Sequence, residues 1–187
     1  MAVQWGERWK VLPDDERQQW MLDPFVSVGP LRFDMSPSEV SQALSSVTGD
    51  FQLRPHRPYI AEAVSGCTVE SYRESGLHLY YREQRLDGVV VSARLGPQVL
   101  ADGVALVGQV PSVLEQWMLD RAEARQDDFE CEYMDPGVPG SNSLGVWIDV
   151  QRAGDHLLTR PVFVSYETAD NITWRLPGHA WSACNPC

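Results

Sequence analysis

The 187-residue chain predicts an α+β fold, read as a single domain over residues 1–187. Two tandem units, each a helix followed by an antiparallel meander, share one antiparallel sheet with both helices packed on one face. Three observations predict this. A strand, a stop and a capped amphipathic helix lie together in "GPLRFDMSPSEVSQAL", Gly29–Leu44. Runs of alternating apolar and polar residues follow it. The same succession begins again 74 residues later. The internal halves are residues 24–100 and 101–175, with a helix at 13–22 before them and an irregular segment at 176–187 after them.

In order, "PDDERQQWML" predicts the 13–22 helix, with Pro13 at its first position, acids in the first turn and Trp20 as anchor. Extended chain through Pro24–Val28 leads to a strand on which Leu31 and Phe33 share one side and Arg32 takes the other. Met35 closes the strand. Ser36 caps the helix, Pro37 suits its first position, and Glu39 reaches back to complete a capping box. Val40, Ala43, Leu44 and Val47 give one apolar face. Strand text follows in "DFQLRP", "TVESYRE", "GLHLYYRE" and "RLDGVVVSARLG", and the Asp-Gly pair of the last predicts a hairpin turn.

Set without a gap over Gly103–Met118, the opening stretch places Gly29 on Gly103, Pro37 on Pro111, Ser38 on Ser112 and Gln42 on Gln116. Val40 falls on Leu114 and Leu44 on Met118. Downstream, "DFECEYM" and "SLGVWIDVQRAGDHLL" echo the first meander, with Gln151-Arg152 answering Gln84-Arg85. This reads as two divergent copies of one unit. The second lacks the capping box, since Val110 and Val113 replace Ser36 and Glu39, so its helix leans on Leu114, Trp117, Met118 and the stem of Arg121.

A hydrophobic content of 43% with seven Trp builds a core. No apolar run of about eighteen residues predicts a membrane span, and the charged start lacks a secretory pattern, so a cytoplasmic setting is expected. A net charge of −11 argues against direct nucleic-acid binding and favours a basic partner. Lys10 is the one lysine beside fourteen arginines, the skew of a GC-rich genome. Cys67, Cys131, Cys184 and Cys187 are irregularly spaced and read as thiols. The terminal "CNPC" falls short of a zinc ligand set, with His179 as its one near histidine. No metal or cofactor is expected.

The Gly29–Leu44 stretch resembles the "G-x-I/L-x-F-G-M-T/S-x-x-x-V-x-x-x-L" opening of the β-lactamase-inhibitor-protein and BamE/SmpA type of small α/β domain. Gly29, Leu31, Phe33, Met35, Ser36, Val40 and Leu44 agree with it. Asp34 stands where that family has Gly, and Asp tolerates left-handed backbone better than most residues. Similar openings occur in bacterial proteins of toxin–immunity loci. The resemblance implies a non-enzymatic inhibitor or assembly factor that offers a sheet face to a protein partner. The signature residues themselves would be structural.

Strand alternation then defines the expected contact surface. With Leu77/Leu79/Tyr81, Val89/Val91/Ala93/Leu95 and Leu144/Val146/Ile148/Val150 facing the helices, the other face carries Glu70, Tyr72, His78, Tyr80, Arg82, Arg94, Glu130, Glu132, Trp147 and Asp149. Aromatics rimmed by charge suit a protein interface. The Gly/Pro-rich connection Met134–Ser143 is a second contact candidate. The expected function is immunity or inhibition: binding and neutralising a cognate toxin or enzyme. The alternatives are a small-ligand-binding protein or hydrolase using the same face as a pocket, and an accessory protein of a larger assembly. No phosphate loop, metalloprotease helix or nucleophile elbow occurs, and the four His lack a base–nucleophile arrangement. No catalytic residue is therefore assigned.

Overall fold

The computed structural model describes residues 9–47, 67–134 and 137–170. The expected strand at 50–55, the 176–187 segment, His179, Cys184 and Cys187 lie outside them. The fold is α+β. Its strands are β1 (Gln19–Asp23), β2 (Ser27–Val28), β3 (Leu31–Arg32), β4 (Cys67–Tyr72), β5 (Leu77–Arg82), β6 (Arg85–Val91), β7 (Gln98–Ala101), β8 (Val104–Ala105), β9 (Cys131–Met134), β10 (Val138–Ser141), β11 (Val146–Ala153) and β12 (His156–Val164). The helices are α1 (Pro37–Val47), α2 (Pro111–Arg125) and α3 (Tyr166–Ala169).

The strands form two sheets, where the sequence predicts one. An antiparallel seven-stranded sheet runs β4-β5-β6-β12-β11-β10-β9, so strands of both halves meet at β6 and β12. The short strands before each helix form a second sheet, β3-β2-β1-β7-β8, in which β1 pairs with β7 in parallel. One core joins both sheets to both helices: Val40, Leu44, Leu114 and Met118 meet Leu77, Leu79, Tyr81, Val89, Val91, Val146 and Ile148. Side chains that imitate backbone tie the layers together. Gln98 Oε1 accepts from the Val107 amide at 2.8 Å while its Nε2 donates to the Val107 carbonyl at 3.0 Å. Gln151 Oε1 likewise accepts from the Ala93 amide at 2.8 Å.

The capping box forms as expected. The Ser36 amide donates to Glu39 Oε2 at 2.8 Å and the Glu39 amide donates to Ser36 Oγ at 3.4 Å. Its hydrogen bonds to Ser36 hold the Glu39 carboxyl below the usual range. Helix α2 starts at extended Val110 with no side-chain cap. Both helices begin at the aligned prolines, Pro37 and Pro111. Asp34, with φ of 68°, and Gly108, with φ of 71°, occupy the same left-handed conformation 74 residues apart. Asp therefore holds this turn in one half and Gly in the other.

Four local expectations are corrected. Residues 13–22 form a 3-10 turn at Asp14–Glu16 and then β1, not a helix. The buried Arg17 guanidinium explains the break: it donates to the carbonyls of Leu12 at 3.0 Å, Ala93 at 2.7 Å and Gly96 at 2.5 Å, drawing the chain flat against the 93–96 loop. The β5–β6 turn is Glu83-Gln84, with φ of 49° and 62°, the two left-handed residues of a tight hairpin turn. Asp87-Gly88 lies inside β6, where Tyr80 pairs with Gly88 and Tyr81 with Leu86, leaving Asp87 as the extra residue of a β-bulge. The 134–143 connection contains the strand β10, paired with β9. Finally, Gln84-Arg85 sits at a hairpin turn whereas Gln151-Arg152 lies within β11, so that echo does not mark equivalent positions.

Candidate functional site

At its centre the seven-stranded sheet is buried on both faces. Tyr80 is 1% and Trp147 2% exposed, and with Val69, Val90, Val162 and Val164 they form a second apolar cluster opposite the helices. Ala169 of α3 packs against it. The open aromatic face expected from alternation is thereby corrected. His78 and Tyr80 do point away from the helices, but as half-buried and buried residues; His78 Nδ1 shares a 2.9 Å hydrogen bond with Ser71 Oγ. Asp149 is buried opposite Arg160, which donates to its Oδ2 at 3.0 Å. Burial pushes the Asp149 carboxyl above its usual range, with the Val150 amide and Arg160 opposing.

Tyr72 and Glu70 belong to the helix side, because β4 pairs Tyr72 with Leu77 and Glu70 with Leu79. The hydroxyls of Tyr72 and Tyr81 donate to Glu70 Oε2 at 3.1 and 3.0 Å, and burial raises both phenols. Arg94 stays half-exposed, its guanidinium 5.8 Å from the Trp9 ring centroid. A signal for two-sided burial was present in the sequence: Val89-Val90-Val91 and Val162-Phe163-Val164 are continuous apolar runs, the pattern of strands covered on both sides.

Tyr166 of α3 is one exposed aromatic, and two more stand together at the sheet edge beside α2, Phe129 in the turn before β9 and Tyr133 on it. Phe129 is 76% and Tyr133 52% exposed, and Leu119 is exposed on α2. Around them stand Glu115, Asp127, Asp128 and Glu132, of which Glu132 was among the residues expected at the contact surface. The Tyr133 hydroxyl donates to Glu115 Oε1 at 2.8 Å, and this bond is the main reason its pKa is pushed up to about 12. Cys131, one residue from each glutamate of the strand, is raised by burial first and then by Glu115 and Glu130.

Glu130 is buried and fixes this edge. Its carboxylate accepts from Arg121 Nη1 of α2, from Ser141 Oγ at 2.6 Å and from Ser143 Oγ at 2.8 Å. Arg121 also donates to Asp102 at 2.9 Å. Helix α2, β9 and the turn before β11 are thus held on one carboxylate, while among the described residues β9 has no strand on its other flank. Phe129 and Tyr133 were missed because alternation along "DFECEYM" put Glu130 and Glu132 on the outer face and so turned the residues alternating with them inward, whereas Glu130 is the buried one.

Among the described residues no three His, Cys, Asp or Glu side chains converge as a metal site, and no helix is long and apolar enough to cross a membrane. Compared with known proteins, the chain matches no family model, no curated protein and no solved structure.

Proposed function

We propose that this protein is a cytoplasmic bacterial binding protein of the immunity or inhibitor kind, without catalysis, that neutralises a cognate basic toxin or enzyme docked on the α2–β9 edge. The carrying observation is the pair Phe129, in the turn before β9, and Tyr133, on β9, both exposed amid carboxylates at a sheet edge anchored to α2. A few residues carry most of the energy of a protein interface, and aromatics such as Tyr are enriched among them. The Glu115 bond presents the Tyr133 ring already ordered, which lowers the entropic cost of binding. The acids and the chain's charge of −11 would steer a basic protein and repel nucleic acid.

The resemblance to inhibitor-type domains supports the same reading. So does a duplicated scaffold, for which the evidence is the 74-residue recurrence of helix-starting prolines and left-handed turns.

The test takes the products of adjacent genes as candidate partners and measures binding to the wild type and to Phe129→Ala, Tyr133→Ala and Glu132→Lys. Each aromatic truncation is expected to weaken binding about tenfold or more. Glu132→Lys should slow association and flatten its salt dependence. Wild-type affinity in all three variants would remove this edge as the contact surface, and absence of any protein partner among those products would count against inhibition.

A further inference from the structure

A cleft of about 480 Å³ opens where the β1–β2 turn, the turn after β3, the β5–β6 turn and the start of α3 come together. It shares no lining residue with the α2–β9 edge. Its volume lies within the roughly 300–1,000 Å³ of small-molecule sites. We propose that it binds an organic cation, an alkyl or aryl group carrying a guanidinium, amidinium or ammonium.

The walls are aromatic. Phe25 and Tyr166 meet edge to face, their centroids 5.5 Å apart, and Phe33 lines the cleft while packing on the core. Ring faces attract cations and accept flat apolar bodies. The floor is already neutral: Asp87, turned inward by the β-bulge, accepts from Ser165 Oγ, from Thr168 Oγ1 at 2.6 Å and from Arg82 Nε at 3.3 Å. Beyond the Arg82–Asp87 pair, the described lining carries the carboxylates Asp34 and Glu83 at its rim against the guanidinium of Arg85, which donates to the Asp34 carbonyl at 3.0 Å. The balance is negative, and an anion would meet repulsion there.

Backbone conformation singles out the same place. Phe25, Asp34 and Glu83 all line the cleft with positive φ, of 60°, 68° and 49°, and Gln84 beside them has 62°. A bulky aromatic residue in this region is an outlier that surrounding structure must hold in place. Such residues gather at ligand sites, where fixed geometry matters more than local comfort. The bulge at Asp87 is of the kind that re-aims a side chain beside a site.

The test is an amide and aromatic NMR titration of the full chain with three probes: agmatine, a blocked Gly-Arg-Gly peptide, and phenylacetate as anion control. Saturable shifts confined to residues 25–34, 82–87 and 165–167 are expected with agmatine, the peptide or both. Tighter binding of agmatine would indicate a free metabolite-like cation, and tighter binding of the peptide an arginine side chain from another protein. The double variant Asp34→Asn/Glu83→Gln should weaken binding at least fivefold, as should Tyr166→Ala, and Phe129→Ala should leave it unchanged. No saturable shift with either cation, shifts that survive the double variant, or preferential binding of phenylacetate would overturn the proposal.

Discussion

Arg121 on α2 and Glu130 at the head of β9 form a nearly dry ion pair that joins the helix to the edge strand. Removing one partner of such a pair strands the other charge, which costs more than the pair contributes. Arg121→Ala should therefore lower unfolding free energy by about 3 kcal/mol, and Arg121→Ala/Glu130→Gln should recover part of the loss. Urea unfolding of both variants checks this; equal destabilisation would mean the charge is not the cause.

Trp147 lies in the second apolar cluster, its indole packed so closely on Gly140 that a Cβ there would overlap the ring. Among the described residues its Nε1 has no hydrogen-bond partner. Trp147→Ala should cost about 3–5 kcal/mol through the cavity it leaves. Trp147→Phe should cost much less, because it discards an unsatisfied donor together with volume. Thermal unfolding of both variants gives the comparison, and near-wild-type stability of the alanine variant would show the cluster to be loosely packed.

Asp149 predicts a pH signature. Its folded pKa is raised, so the native state holds this proton more tightly than the unfolded chain does. The resulting stabilisation is complete below the unfolded value near 3.9 and is lost as pH rises through the folded value. Relative to Asp149→Asn, the wild type should lose stability as pH is raised from about 3 to 7. A stability difference constant across that range would contradict the raised pKa.

The capping box should be transferable. Val110 and Val113 are exposed at the start of α2 and stand where Ser36 and Glu39 stand in α1. Val110 already has the extended backbone of a cap. Val110→Ser/Val113→Glu should stabilise the protein by about 0.5–1 kcal/mol, and Ser36→Ala should destabilise it by about 1 kcal/mol. Denaturant midpoints read both, and no gain in the double variant would show that the second helix start differs in geometry.

How far the structure was legible depended on how local each signal was. The Ser36–Glu39 box and the left-handed Asp34 turn are decided within a few residues, and both were readable. The helix-facing sets Leu77/Leu79/Tyr81 and Val146/Ile148 were readable too, because period-2 alternation is a property of the strand itself. Register is not. Tyr72 was assigned to the wrong face because its side is set by pairing with Leu77 across the β4–β5 turn. Asp87-Gly88 had the text of a turn, but the hairpin closed four residues earlier, at Glu83-Gln84, and left Asp87 as a bulge. The 13–22 segment had helical composition, and contacts of Arg17 with a loop nearly eighty residues away overrode it. Trp147 and Tyr80 looked like interface anchors because alternation places a side chain without saying what covers it.

The seam between β6 and β12 has a consequence for biosynthesis. It consists of the pairs Val90–Val162, Val89–Phe163 and Gly88–Val164, so the strand bearing the Val89–Val91 run completes its pairing only when a segment 72 residues downstream arrives. At translation rates of about 5–20 residues per second, that interval lasts roughly 4–15 s. Throughout it the apolar Gly88–Val91 part of β6 lacks the strand it pairs with in the finished fold, an edge of the kind prone to pairing with other chains. The three pairs that close the finished sheet thus also make the half-made chain a natural client for chaperones on the ribosome.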